Sequence, residues 1–144
     1  MDNLPGLAAF AIALVALFAK TTLTSMVQVI SRLRSGQFPL PEDAALMGRK
    51  PAQAEAALPQ RCANIWRNDV ENLPLFLALA LSYVLLGASR ESAQLLFGVY
   101  VGVRYAHTVA YLAGRQPWRA VFYLAGLGVC WVIAFRIVGL VGIV

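Results

Sequence analysis

Histidine occurs once in this chain, at His107, and only seven residues are acidic. A multi-histidine metal set, a Ser-His-Asp arrangement or a pair of catalytic carboxylates cannot be assembled from so few members, and no glycine-rich phosphate loop is present. The two cysteines, Cys62 and Cys130, have neither metal-ligand spacing nor a disulfide framework, and read as structural thiols in a reducing compartment. Charge is scarce as well. At 13% charged and 60% hydrophobic residues, the composition exceeds what a soluble domain usually carries, so the expected solvent is lipid. The net charge of +5 could suggest nucleic acid, but no basic run is interleaved with aromatics. The positive residues lie beside apolar segments, which suits a membrane surface, and no nucleic-acid partner is expected.

What is present is long apolar runs. With 144 residues the chain suits one domain, 1–144, built as an all-α, integral membrane four-helix bundle with helices at about 4–34, 60–89, 92–113 and 117–143. The first run is interrupted by Lys20 and continues past it, and no positive residue precedes it, which argues against a cleaved signal peptide. Residues 35–59 hold Gly36, Pro39, Pro41, Gly48, Pro51 and Pro59 and read as a loop, with a short helix possible over Ala52 to Leu58. The third run needs Arg104 through Leu112 to reach spanning length and so takes ionisable residues with it. Gly98-x-x-x-Gly102 offers a close helix approach, and Pro117 suits the start of the last helix. Arg32, Arg34, Arg49, Lys50, Arg61, Arg67, Arg115 and Arg119 gather in the first and third connections. By the positive-inside rule those connections face the cytoplasm, with both termini on the other side.

The densest polar stretch, Arg61 to Asn72, stands directly before an apolar run. If the helix continues back through it, Arg67, Asn68 and Glu71 share one face. On the third helix Arg104, His107 and Tyr111 form a stripe at i, i+3 and i+7, and on the fourth Arg119 and Tyr123 stand four apart. With Arg32 added, the candidate site is rich in arginine, has one or two acids, and lies near the cytoplasmic boundary. It suits a small polyanion: arginines for carboxylates, Glu71 for an amine, and a further arginine for a thiolate. An exporter of four small helices would fit the size and hydropathy, but such exporters depend on a membrane-embedded carboxylate, and the first helix offers Lys20 and no Glu.

Two segments carry a resemblance. Arg61-Cys62-x4-Arg67-Asn68-Asp69-x-Glu71 and Arg104-x-Ala106-His107-Thr108-Val109-Ala110-Tyr111-Leu112 resemble the membrane-associated proteins in eicosanoid and glutathione metabolism, the MAPEG family. Looser likeness extends to Arg32-Leu33-Arg34 and Pro41-Glu42-Asp43-Ala44. The resemblance implies a homotrimer in the bilayer, with glutathione bound between neighbouring subunits near the cytoplasmic side. It implies that Arg32, Arg67, Asn68, Glu71, Arg104, His107, Tyr111 and Tyr123 hold glutathione, that Arg119 sits beside the thiol, and that Asp43 assists the chemistry. The expected activity is transfer of glutathione to lipophilic electrophiles or reduction of hydroperoxides, with endoperoxide isomerisation of the prostaglandin type as the alternative. No metal is expected. Three features depart from the isomerase branch: Ala120 where that branch has a serine, Asn64 in place of an arginine, and a shorter turn before Pro117. The Arg119-Ala120 pair instead resembles the transferase branch.

Overall fold

Spacing of small and apolar residues dictates the packing. The computed structural model describes residues 4–142. They form five helices: α1 (Leu7–Ser35), α2 (Pro41–Leu46), α3 (Ala57–Leu85), α4 (Arg90–Leu112) and α5 (Trp118–Val141), with no strand among the described residues. The buried residues of α1 are Ala9, Ala13, Leu17, Lys20 and Thr24, each three or four positions from the next. Cys62, Ile65, Asp69, Leu73, Phe76, Ala80 and Tyr83 do the same on α3, and Ala93, Phe97, Tyr100, Arg104 and His107 on α4. Such a repeat puts one stripe of each helix against its neighbours, and α1 packs on α3 and α4 while α5 packs on α4 and α3. Phe76 stacks on Tyr100 with ring centroids 3.7 Å apart, and Phe97 meets Phe76 edge to face at 5.8 Å. This aromatic cluster is the centre of the core.

The outside is apolar too. Only Gly126 and Ile133 of α5 are buried, while Leu124, Trp131 and Phe135 are exposed. A helix apolar all round has no reason to face water. Two helices, α1 and α5, are long and apolar enough to cross a membrane. Helices α3 and α4, with 29 and 23 residues, reach about 43 Å and about 34 Å. Their ionisable residues lower their apolarity; of these Asp69, Arg104 and His107 are buried, while Arg67, Glu71, Arg90 and Glu91 are exposed.

In the first connection the short helix lies at Pro41–Leu46, with Pro41 at its first position and Glu42 and Asp43 in its first turn, both favourable at a helix start. The expected helix over Ala52 to Leu58 is not formed: Ala52 to Ala56 are irregular, and Ala57 and Leu58 already belong to α3. Two tethers explain the difference. Ala52 N–H donates to the Phe38 carbonyl at 2.8 Å, and Glu55 is drawn away to pair with Arg32. Gly98 and Gly102 have open space where a Cβ would stand, so none of the described helices packs tightly against them.

The α4–α5 turn is fixed from α3. Arg61 Nη1 donates to the Leu112 carbonyl at 2.8 Å, satisfying one of the orphan acceptors at the end of α4. Gly114 closes that turn at φ 67°, and a Cβ there would lie 3.0 Å from the Arg61 guanidinium. Position 114 thus calls for glycine on both counts.

Candidate functional site

The first half of α3 is polar on the face that meets α4 and α5. There Arg67, Asn68 and Glu71, which fall within about one helical turn, line one wall of a cavity of about 520 Å³. His107 and Tyr111 of α4 form the second wall, and Arg119, Ala120 and Tyr123 of α5 the third. Asn64 and Gln116 complete the lining. Two guanidiniums thus face one carboxylate, a balance that favours an anion with a single positive group.

Neighbours restrain several of these side chains. The Arg119 guanidinium lies over the Tyr111 ring, 4.5 Å from its centroid. In the amide orientation that satisfies both groups, the Gln116 oxygen accepts from Arg119 Nη2 at 2.5 Å and from Nε at 3.1 Å. His107 meets Tyr111 edge to face at 5.8 Å, is buried, and its Nδ1 has no partner among the described residues.

Beneath this cavity lies a closed ion network. Lys20 Nζ donates to Asp69 Oδ2 at 2.5 Å, and Arg104 Nη2 donates to Asp69 Oδ1 at 2.7 Å and to Asn68 Oδ1 at 2.6 Å. All three charged side chains are sealed from the surface, at 2% exposure for Lys20 and Asp69 and 1% for Arg104. Arg104 therefore spends both Nη2 hydrogens on α3, with Nε unpartnered among the described residues, and does not line this cavity with His107 and Tyr111. A second polar cleft, of about 380 Å³, is lined by Arg32, Phe38, Leu40, Asp43, Glu55 and Gln60.

Of the ten residues expected from sequence, seven line the first cavity: Arg67, Asn68, Glu71, His107, Tyr111, Arg119 and Tyr123. Arg104 is absent from that lining and instead borders, with Tyr123, an apolar cavity of about 390 Å³, while Arg32 and Asp43 belong to the second cleft. Sequence reasoning missed Gln116 as a lining residue and Asp69 as the hub of the ion network. Gln116 carried a signal, since it stands three residues before Arg119. Asp69 did as well: an acid deep in an apolar chain must find a cation, and Lys20 on the first helix had no assigned partner.

Comparison with known proteins bears on this site. The chain matches the MAPEG family over residues 10–139. It is 33% identical over 142 residues to microsomal glutathione S-transferase 1 of Rattus norvegicus, covering 95% of this chain and 91% of that protein. The human protein of that name is 34% identical over 134 residues, covering 90% and 86%. Prostaglandin E synthase of Equus caballus is 36% identical over 123 residues, covering 85% and 78%.

Proposed function

The chain belongs to the MAPEG family, a membrane-bound family, and from that premise we propose that it is a glutathione-dependent membrane enzyme. Its reaction is attack of the glutathione thiolate on a lipophilic electrophile or hydroperoxide that arrives through the bilayer. One observation carries this reading: a polar, arginine-rich cavity opens among helices whose outer faces are apolar. The ligand brings two carboxylates, one ammonium and one thiol. Arg67 and Asn68 take a carboxylate, Glu71 the ammonium, and Arg119 the sulfur.

Free thiols titrate near about 8.5, so at neutral pH only a few per cent of the ligand is thiolate without help. Arg119 supplies that help with a cation that does not deprotonate, held over Tyr111. His107 and Tyr111 orient the ligand on the α4 side, and Tyr123 faces it from α5. Ala120 offers no hydroxyl beside Arg119, which supports transfer over an isomerisation that uses one. The relatives named for glutathione transfer and for prostaglandin E synthesis leave both chemistries within the family.

We extend the reading to the assembly. All four long helices span the bilayer as a single domain, and the chain acts as a homotrimer with the site near the cytoplasmic face. In that arrangement Arg32 and Asp43 reach the ligand from a neighbouring subunit, in keeping with their place in a separate cleft of their own chain. The test is equilibrium binding of glutathione to purified protein in detergent, with thiolate followed by ultraviolet difference absorbance. Binding with a thiolate band at neutral pH is expected. A folded protein that neither binds glutathione nor develops that band would refute the proposal.

A further inference from the structure

The ion network below the cavity takes no part in the chemistry proposed above. Lys20, Asp69 and Arg104 come from three helices and meet where water is excluded. Taking three charges out of water is expensive, and a well-packed apolar trio of similar volume is often as stable. Both Asp69 oxygens are occupied, Oδ2 by Lys20 Nζ and Oδ1 by Arg104 Nη2. The same Nη2 carries a second hydrogen, which goes to Asn68 Oδ1 at 2.6 Å.

Asn68 is the only one of these four residues that lines the polar cavity. A carboxamide has one accepting end and one donating end. Turned over, Asn68 would set its NH2 group against a guanidinium N–H and lose the bond, so the orientation is fixed from behind. Its Nδ2 has no protein partner among the described residues. Lys20 completes the device from α1. By holding Oδ2, it keeps the Asp69 carboxylate from swinging and drawing Arg104 off Asn68.

We infer that Arg104, anchored by Asp69 and Lys20, is a positioning residue that locks Asn68 with its two Nδ2 hydrogens toward the ligand. That point of the site then accepts an anionic or carbonyl oxygen and rejects a donor. Arg104 acts through Asn68 without touching the ligand, although its stripe with His107 and Tyr111 suggests a shared wall. The inference rests on glutathione as the ligand, whose carboxylates and amide carbonyls supply the oxygen.

The experiment is a double-mutant cycle on the full chain in detergent, read as glutathione affinity by calorimetry. Asn68→Ala and Arg104→Met should each weaken binding by about tenfold, the scale of a hydrogen bond to a charged group. The double variant should bind no more weakly than Asn68→Ala alone, because Arg104 acts only through that amide. Losses that multiply to about a hundredfold, or wild-type affinity in folded Arg104→Met, overturn the inference. A merely structural role would lower the melting midpoint and leave the affinity of the folded fraction unchanged. Should Arg104→Met fail to fold, Asn68→Asp carries the test. It keeps all three buried charges and the bond from Arg104 but replaces the donor with an acceptor. It should fold as wild type and bind glutathione at least about tenfold more weakly; unchanged affinity overturns the inference. Absence of glutathione binding by the wild-type chain would remove the functional reading and this inference together, whereas multiplicative losses remove the inference alone.

Discussion

Arg119 is held on two sides, by the Tyr111 ring beneath it and the Gln116 amide beside it. A guanidinium held this way loses little entropy when an anion arrives, which is what stabilising a thiolate requires. Arg119→Ala is expected to lower conjugation or peroxide turnover by roughly a hundredfold or more, the scale of about 3 to 4 kcal/mol of anion stabilisation. Glutathione affinity should fall less than turnover, because Arg67 and Asn68 still hold a carboxylate. Initial-rate kinetics at saturating and limiting glutathione separate the two, and full turnover in the variant would remove the thiolate role. Glu71 is the only carboxylate in the cavity lining among the described residues. Glu71→Ala should weaken glutathione binding by at least about tenfold, since losing one partner of a desolvated charge pair costs about 2 to 5 kcal/mol. Unchanged affinity in the folded variant would show that the ammonium binds elsewhere. Ala120→Ser tests the neighbouring position: conjugation with a generic aryl halide should stay nearly constant, and a large rise would show that a hydroxyl had been missing.

At the level of elements, α3 has two tasks on different faces. One face buries Ile65, Asp69, Leu73 and Phe76, and the adjoining face carries Arg67, Asn68 and Glu71 into the cavity. A rotation of α3 by one residue would exchange them. Register is held by Asp69 between Lys20 and Arg104, and by the Trp66 indole N–H donating to Ser25 Oγ of α1 at 3.0 Å. The approach of α1 depends on small residues. Ala13, at 3% exposure, sits one turn from Ala9 and Leu17 along the buried stripe. Ala13→Leu forces extra volume into that seam and should cost about 1 to 3 kcal/mol. The readout is thermal loss of helicity by circular dichroism in detergent, where the midpoint should drop; no change would mean that the seam has slack.

For the whole molecule, the pattern departs from that of a soluble protein, with Lys20, Asp69, Arg104 and His107 inside and Ile12, Phe18, Leu124 and Phe135 outside. Lipid covers part of that surface. In the proposed trimer, neighbouring subunits cover the rest and bring Arg32 and Asp43 toward the cavity. Native mass measurement in mild detergent or nanodiscs should give three chains, and a monomer that still turns over glutathione would refute the assembly. Orientation has its own check. A cysteine introduced at position 45, in α2, should be shielded from an impermeant thiol reagent applied outside intact cells. Labelling there would reverse the proposed sidedness.

Apolar run length determined the long helices from sequence alone, because a segment without water must satisfy its own backbone. The i, i+3, i+4 spacing likewise placed Arg67 with Asn68 and Glu71, and His107 with Tyr111, since helical periodicity is local. Local pattern failed at Ala52 to Leu58, where Glu55 and Ala52 are engaged by residues far away in the chain. It left the partner of Arg104 open. Spacing put that residue on the same stripe as His107, but only tertiary packing sets its depth, and depth decides whether a guanidinium meets a ligand or a buried carboxylate. The tertiary structure alone chose Asp69 as the common partner of Lys20 and Arg104, since pairing across α1, α3 and α4 depends on distances in space that residue order does not carry.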